Sequence, residues 1–543
     1  MSQSSRREFL RHAATYSSMG VAAPLGLNLS AITQAAAQSS GTSGYRAIVC
    51  LFMNGGNDAF NTVLPTDTAS WGHYVSQRNP TNSNDGIGLP ALGVAGVPGA
   101  SSVRERLGGV IPIATGSRPS NSGRQFALHP ALTQVQALHQ AGRLAVLANV
   151  GPLLRPTTKS DMSNAAVTKP AKLFSHNDQS STWQSFKPEG ASAGWAGLMG
   201  DLLMSSNGSG RSATDAQLIQ RSFTCMTPAS TSVWLAGRNL QPYQSGSTSV
   251  LALGNANGQI YGSQRLLSAV GRIMGQGNGQ GATLSAPGNM FVADHQSLVQ
   301  RAISAYDLIG PSLAPLGVTP WSTNGVTDGA ADAMLKYVSP VTGALKFNPL
   351  AQQLQMVARL IDTNRRGNLG LTRQFFMVNI GGFDTHNFQN AEHAERMAQI
   401  NHALTYFDRV LRFMPGGDMS NQVTTFTASE FGRTFTSNGD GTDHGWGGHH
   451  FIMGGAVNGA EVYGTFPQYS TANGSGVFSS PDQIQNGVLI PTTSVDQYAY
   501  TLGRWMGVSD SALLGSFAGD RTAILPNLRQ FNSSTYDLGF LRA

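Results

Sequence analysis

Charge is what this sequence has least of. Asp, Glu, Lys and Arg make up 12% of 543 residues, against roughly a quarter in an average soluble chain. No Lys/Arg block stands in it, so the basic tract that nucleic acid requires is absent and nucleic acid is discounted as a partner. Cysteine is scarce too. Cys50 and Cys225 are the only two, and Cys50 lies inside the apolar run YRAIVCLFM, where a buried thiol is expected in place of a disulfide. No stretch reaches the ~18 apolar residues that span a bilayer, so no stable membrane anchor is expected. Three motifs are missing as well: a Gly-x-Ser-x-Gly elbow between strand and helix, a Gly-x-x-x-x-Gly-Lys-Ser/Thr loop, and a dinucleotide fingerprint. Their absence speaks against a Ser-His-Asp hydrolase, a P-loop enzyme and a dinucleotide enzyme.

Glycine, at 64 residues, and uncharged polar residues fill the place of the missing charge. That composition suits an exported protein with long ordered loops. The first residues point the same way. SSRREFLRHAA has the form of a twin-arginine export signal, a mildly apolar stretch follows, and QAAAQ offers small residues for cleavage near Ala37. Residues 1–37 are therefore expected to be a signal, handled by the twin-arginine translocase, and the product to be periplasmic or secreted. Formal charge is +6, of which the leader holds +2, leaving about +4.

Residues 38–543 are expected to form a single α/β domain. RAIVCLFMN (46–54), GRLAVLANVG (142–151), RQFFMVNIGG (373–382) and NQVTTFTAS (421–429) read as buried strands. Helical spacing fills about 130–141, 389–413 and 494–508, which predicts a predominantly parallel central sheet with helices on both faces. The segment at about 205–345 is rich in Gly, Ser, Thr and Asn, with a helix near 290–309, and is expected to be an inserted cap or lid.

In such sheets ligands sit beyond the carboxyl ends of the strands, and the chemically capable residues cluster there. Six of the twelve histidines lie between 384 and 450. Asp384-x-His386 sets a carboxylate and an imidazole after one strand, either as metal ligands or as turn residues. Glu430 follows the next strand. A glycine-rich segment then carries Asp443, His444, His449 and His450, expected as a loop whose mixed O and N donors suit a divalent ion. Asn57 and Asp58 end the first strand, again as site or turn. Ser175 stands where a helix begins, a nucleophile or an N-cap. Arg433 clamps an anion or pairs with Glu430.

Taken in order, GGNDAFNTVLP, LHPAL, RLAVLANVG, FSHNDQSSTW, GWAGLMGD, GGFDTH, SEFGRT, NGDGTDHGWGG and DQYAYTLGRWMGV resemble the family called domain of unknown function 1501, often labelled sulfatase-like. That family resembles the alkaline phosphatase superfamily. The resemblance implies an alkaline phosphatase-like sheet and one or two divalent ions (Zn, Ca, Mg or Mn). It implies metal roles for Asp58, Asp384, His386, Glu430 and His444, and Ser175 as nucleophile; Asp443, from the glycine-rich segment, completes the set of candidate metal ligands. Two departures stand out. The first pair is Asp-x-His where the superfamily has Asp-x-x-x-His, and Phe431 follows Glu430 where a His is usual, so one of the two metal sites is either incomplete or completed by His176, His449 or His450. Cys225, in SFTCMTP, does not match a modified-cysteine nucleophile.

The expected function is an exported metal-dependent hydrolase of phosphate or sulfate esters, with a metal-activated Ser175, Arg433 on the anion and Asn57 orienting the ester. The alternative is a metal-containing periplasmic or surface protein that binds without turnover. Export is directly testable. Lysine at both Arg6 and Arg7 is expected to leave the protein in the cytoplasm, and normal periplasmic recovery of that variant in cell fractionation would overturn the assignment.

Overall fold

The run Arg46–Met53 forms the innermost strand, β1, because each residue after Arg46 offers an apolar side chain to one face of the sheet or the other. Ala47, Val49, Leu51 and Met53 join one hydrophobic cluster, and Ile48, Cys50 and Phe52 join a second on the opposite face. The computed structural model describes residues 44–79, 86–116, 118–250, 263–273, 301–517, 520 and 522–542. The expected leader and its cleavage point lie outside the described residues, as does most of the helix expected near 290–309, of which 301–309 is helical.

The other strands that matter are β2 (Leu144–Gly151), β3 (Cys225–Thr227), β4 (Tyr243–Gln244), β5 (Arg373–Ile380), β6 (Val423–Ala428), β7 (Arg433–Ser437), β8 (Thr442–His444), β9 (Gly448–Met453), β10 (Val462–Tyr463) and β11 (Thr493–Ser494). The main sheet runs β10-β2-β9-β6-β1-β5-β3-β4, with β11 also on β2, while β7 and β8 form a separate antiparallel pair. All the main-sheet pairings are parallel except those of β9, which is antiparallel to both β6 and β2. The sheet is thus mixed and mostly parallel.

Helices α1 (Thr68–Arg78), α2 (Thr133–Gln140), α3 (His176–Ser185), α4 (Trp195–Leu203), α5 (Pro349–Arg366), α6 (Gln389–Arg412) and α7 (Val495–Met506) complete the frame. Leu354 and Val357 of α5 and Met397, Leu404 and Phe407 of α6 pack on the Val49 face. Trp195 and Met199 of α4 and Tyr498 and Leu502 of α7 pack on the Cys50 face. These four helices turn apolar residues to the sheet, so it is covered on both sides. Both cysteines are buried free thiols, on β1 and β3. Among the described residues no helix is long and apolar enough to cross a membrane.

Two expectations need correction. The segment 205–345 is not wholly a cap, because β3 and β4 lie within it and extend the main sheet past β5. These strands are two and three residues long, too short to register as apolar runs. The glycine-rich stretch with His449 and His450 is not all loop: both residues belong to β9, in the interior of the sheet.

Register decides where the site forms. Met53 lies beside Ile380, and Phe52 beside Ala428, so the chain leaves β1, β5 and β6 at one level of one rim. Antiparallel β9 starts at that rim, with Gly448 beside Val150.

Candidate metal centre

Loops meet here because Gly55 has no side chain. Its φ is +118°, and a Cβ added to it would stand 2.4 Å from the amide nitrogen of Asp384. Gly56, at φ +84°, would drive a Cβ to 2.3 Å from the Phe431 ring. Only glycine combines those dihedrals with such closeness, so the turn after β1 lets the loops after β5 and β6 share one patch. The β7–β8 hairpin closes on them from outside. Thr442 N–H donates to the Thr385 carbonyl at 3.0 Å, and Phe388 N–H donates to Asp440 Oδ2 at 2.8 Å.

Within this patch His176, Asp384 and His444 converge, each offering a donor atom within 4.8 Å of the other two. His176 Nε2 lies 3.5 Å from Asp384 Oδ2, and His444 Nε2 lies 3.3 Å from Asp384 Oδ1. His386 Nε2 adds contacts of 3.1 Å to Asp384 Oδ1 and 3.1 Å to His444 Nε2. Ligands held at the 2.0–2.2 Å of zinc–nitrogen and zinc–oxygen bonds are about 3.3–3.6 Å apart around a tetrahedral ion, and the 3.5 and 3.3 Å separations of His176 and His444 from Asp384 fall in that range. The chemistry of His444 fits too. Its Nδ1 lies 2.8 Å from the Phe174 carbonyl, which only accepts, so Nδ1 carries the proton and the neutral ring turns an Nε2 lone pair on the carboxylate. A lone pair facing a carboxylate oxygen is repulsive unless a proton, which His386 Nε2 at 3.1 Å can supply, or a metal cation stands between them.

Arg433 supports Asp384. It is fully buried, and its Nη1 donates to Asp384 Oδ1 at 2.7 Å and to the Gly55 carbonyl at 3.1 Å. Its Nε and Nη2 donate to Thr442 Oγ1 and the Thr442 carbonyl. The guanidinium is therefore committed to the protein and is not open to an anion, which corrects its expected role as a substrate clamp. Partial burial pushes the Asp384 carboxyl up, but the hydrogen bond and charge of Arg433, with His386 and His176, hold it below the usual carboxylate range. Glu430 has the reverse effect on His176. Its hydrogen bond raises the imidazole above its ordinary value, against burial, and the charges of Glu430 and Asp384 add to the rise. Burial lowers His444, with Arg433 and His176 contributing.

Several expected site residues lie apart from the three donors. Asp58 is fully buried on Arg78 of α1, whose Nη1 donates to Oδ2 at 2.5 Å and Nη2 to Oδ1 at 3.0 Å. Gln389 Nε2 and the Phe60 N–H take its remaining acceptor capacity, so it serves as a buried ion pair and a cap. Asn57 is buried against Thr62 and His393, out of reach of a bound ester. Ser175 stands at the N-cap position of α3, next to the donor His176, and its Oγ donates to Asp178 Oδ2 at 2.9 Å. Glu430 reaches His176 Nδ1 at 3.0 Å and so stands behind a donor. Asp443 touches His386 Nδ1 at 3.3 Å from the exposed edge. His449 and His450 are buried in β9, and burial lowers both to about 3. Of the residues named to fill the place of Phe431, only His176 reaches the centre. Phe431 itself stacks on His444, with ring centroids 4.7 Å apart.

Residues 357–515 match the family described as protein of unknown function (DUF1501). The match supports the DUF1501 family for this chain, and no curated protein matches it. The DUF1501 segment holds Asp384, His386, Glu430, Arg433, Asp443 and His444, whereas His176, Asn57 and Asp58 precede it. The carbonyl of Phe174 and the amide of Gly55 also act at the centre, and backbone groups leave no mark in a sequence.

Two outcomes are expected. Asp58→Ala strands the buried Arg78 charge and is expected to lower stability by about 3–5 kcal/mol in chemical denaturation, with the same metal content as the parent by elemental analysis; a parent that holds metal and a folded variant that loses it would restore Asp58 as a ligand. Metal affinity should rise with pH through and above the ordinary imidazole range, because His176, whose pKa is raised, must lose its proton before Nε2 can bind. Metal titrations across pH check this, and an affinity flat over that range contradicts it.

Proposed function

We propose that this chain is a divalent-metal-dependent hydrolase of phosphoric or sulfuric esters, with His176, Asp384 and His444 as the metal-holding residues. The observation that carries the reading is the convergence of those three donors at the strand-end rim of a mostly parallel sheet. The ester class comes from the resemblance to the alkaline phosphatase superfamily, to which the cap within 205–345 and export through the twin-arginine route also belong as proposals.

When bound, a divalent ion supplies positive charge that polarises an ester oxygen and makes an attacking hydroxyl or water more acidic. The residues of the chain do the rest. Arg433 keeps Asp384 ionised and aimed. His386, with 44% of its side chain exposed and Asp443 at its other nitrogen, is in position to move a proton at the edge of the centre. Phe431 covers one face of His444 and keeps water from it.

A second reading, a metal-containing protein that binds without turnover, is favoured by two specific contacts. Ser175 Oγ is held by Asp178, and every nitrogen of Arg433 is engaged by the protein. A hydrolase with this geometry would use water as the nucleophile.

Elemental analysis of the exported protein, followed by a panel of aryl phosphate and sulfate esters, separates the readings. A stoichiometric divalent metal, lost in Asp384→Ala, is expected, with ester hydrolysis that falls no more than about tenfold in Ser175→Ala. Metal without hydrolysis of any ester favours the binding protein. Full metal in Asp384→Ala rejects the centre itself, and abolished turnover in Ser175→Ala returns the nucleophile role to that serine.

A further inference from the structure

Glu430 leaves β6 at the same rim as the donors and is buried, with 3% of its surface exposed. Its Oε1 collects two contacts: Gly55 N–H donates to it at 2.7 Å, and His176 Nδ1 lies 3.0 Å away. Its Oε2 faces the Ser429 hydroxyl at 3.4 Å, and that hydroxyl also donates to the Met53 carbonyl at 2.8 Å. The carboxylate is thus pinned by the same glycine turn that admits Asp384. An ionised carboxylate only accepts, so the nitrogen of His176 beside it has to be the one that carries hydrogen. In the neutral ring Nε2 then keeps its lone pair, and that atom faces Asp384 Oδ2 at 3.5 Å.

His444 has the same arrangement, with a backbone carbonyl in the place of the carboxylate. Both imidazoles are held by Nδ1 and present Nε2 to Asp384. We propose that Glu430 is a positioning residue and not a ligand, fixing His176 in the Nδ1–H tautomer so that the two Nε2 lone pairs meet at one point beside Asp384. Its purpose rests on the metal-centre reading, but the tautomer is a property of the metal-free protein. Carboxylate partners of this kind orient ligating histidines, and their loss weakens metal binding about 10–100-fold.

Proton–nitrogen correlation spectra of the full chain with isotope-labelled histidine, metal-free and in alkaline buffer, test this directly. The expected result is an Nδ1–H tautomer for His176, shifting in Glu430→Ala toward the Nε2–H form that imidazole favours in water. Zinc affinity, measured by competition with a chelator, should fall about 10–100-fold in that variant. Glu430→Gln keeps the side-chain volume and a carbonyl acceptor, so it should retain the tautomer and recover most of the affinity. Its cobalt-substituted form should keep the ligand-field absorption of the parent. A wild-type His176 with hydrogen on Nε2, an unmoved tautomer and affinity in Glu430→Ala, or a cobalt spectrum altered by Glu430→Gln would each overturn the proposal. If the wild-type chain binds no zinc while His176 shows the Nδ1–H form, the metal reading falls and the positioning role stands.

Discussion

The rim depends on how closely two backbones approach at Gly55. With any side chain there, the turn after β1 and the loop after β5 would be pushed apart, because the first carbon would overlap the Asp384 amide. The same glycine binds the third loop, since its N–H reaches Glu430 and its carbonyl accepts from Arg433. One residue therefore touches the loop that carries Asp384, the residue behind His176 and the residue behind Asp384. Parallel register brings the three strand ends level, and this contact turns that coincidence of height into a site.

Directly below lies a second set of charges that is purely structural. Asp58 and Arg78 are both fully buried and satisfy each other, with Asn61, Gln389 and the carbonyls of Thr434 and Phe435 taking the remaining donors and acceptors. A buried pair of this kind adds little net stability, yet breaking it is costly, so it enforces one arrangement more than it strengthens the fold. Arg78 joins α1 to β7, and Gln389, at the start of α6, joins both to Asp58. The elements that frame the centre are tied to one another beneath it.

Much of this could be read from the residues. The four apolar runs became β1, β2, β5 and β6 within two residues at each end, and the helical spacing after His386 became α6. The pairing of Asp384 with His444 was also legible, since both follow strands expected to end at one rim. What failed did so for definite reasons. Glycines around His449 and His450 suggested a loop, but those glycines sit where the chain entering β9 passes close to other groups, as at Gly445 against the Arg433 backbone and Gly447 against the Asn149 side chain. Asp58 looks like a ligand only until Arg78 is known to lie beside it, and no pattern connects positions twenty apart across a turn. Ser175 and His176 are neighbours, and although α3 begins right after Ser175, as expected, the Ser175 hydroxyl is taken up by Asp178, a contact that a one-dimensional pattern does not reveal.

The charges gathered around the centre bear on whether a cation would be favoured there. Asp384, Glu430 and Asp443 bring three carboxylates to the patch, and Arg433 brings one fixed positive charge. The imbalance is two, and only the imidazoles remain to answer it. In the metal-free protein Glu430 and Asp384 meet part of that demand by raising the His176 pKa, which favours a proton there. A divalent ion would supply all of it and would displace that proton, since the same Nε2 must hold one or the other. Proton and metal are then alternative solutions to a single electrostatic demand, set by three acidic side chains that the glycine turn and the β7–β8 hairpin force together. The low charge of the sequence sharpens the point: a chain that uses so few ionisable residues concentrates several of them on a few ångströms of one sheet edge.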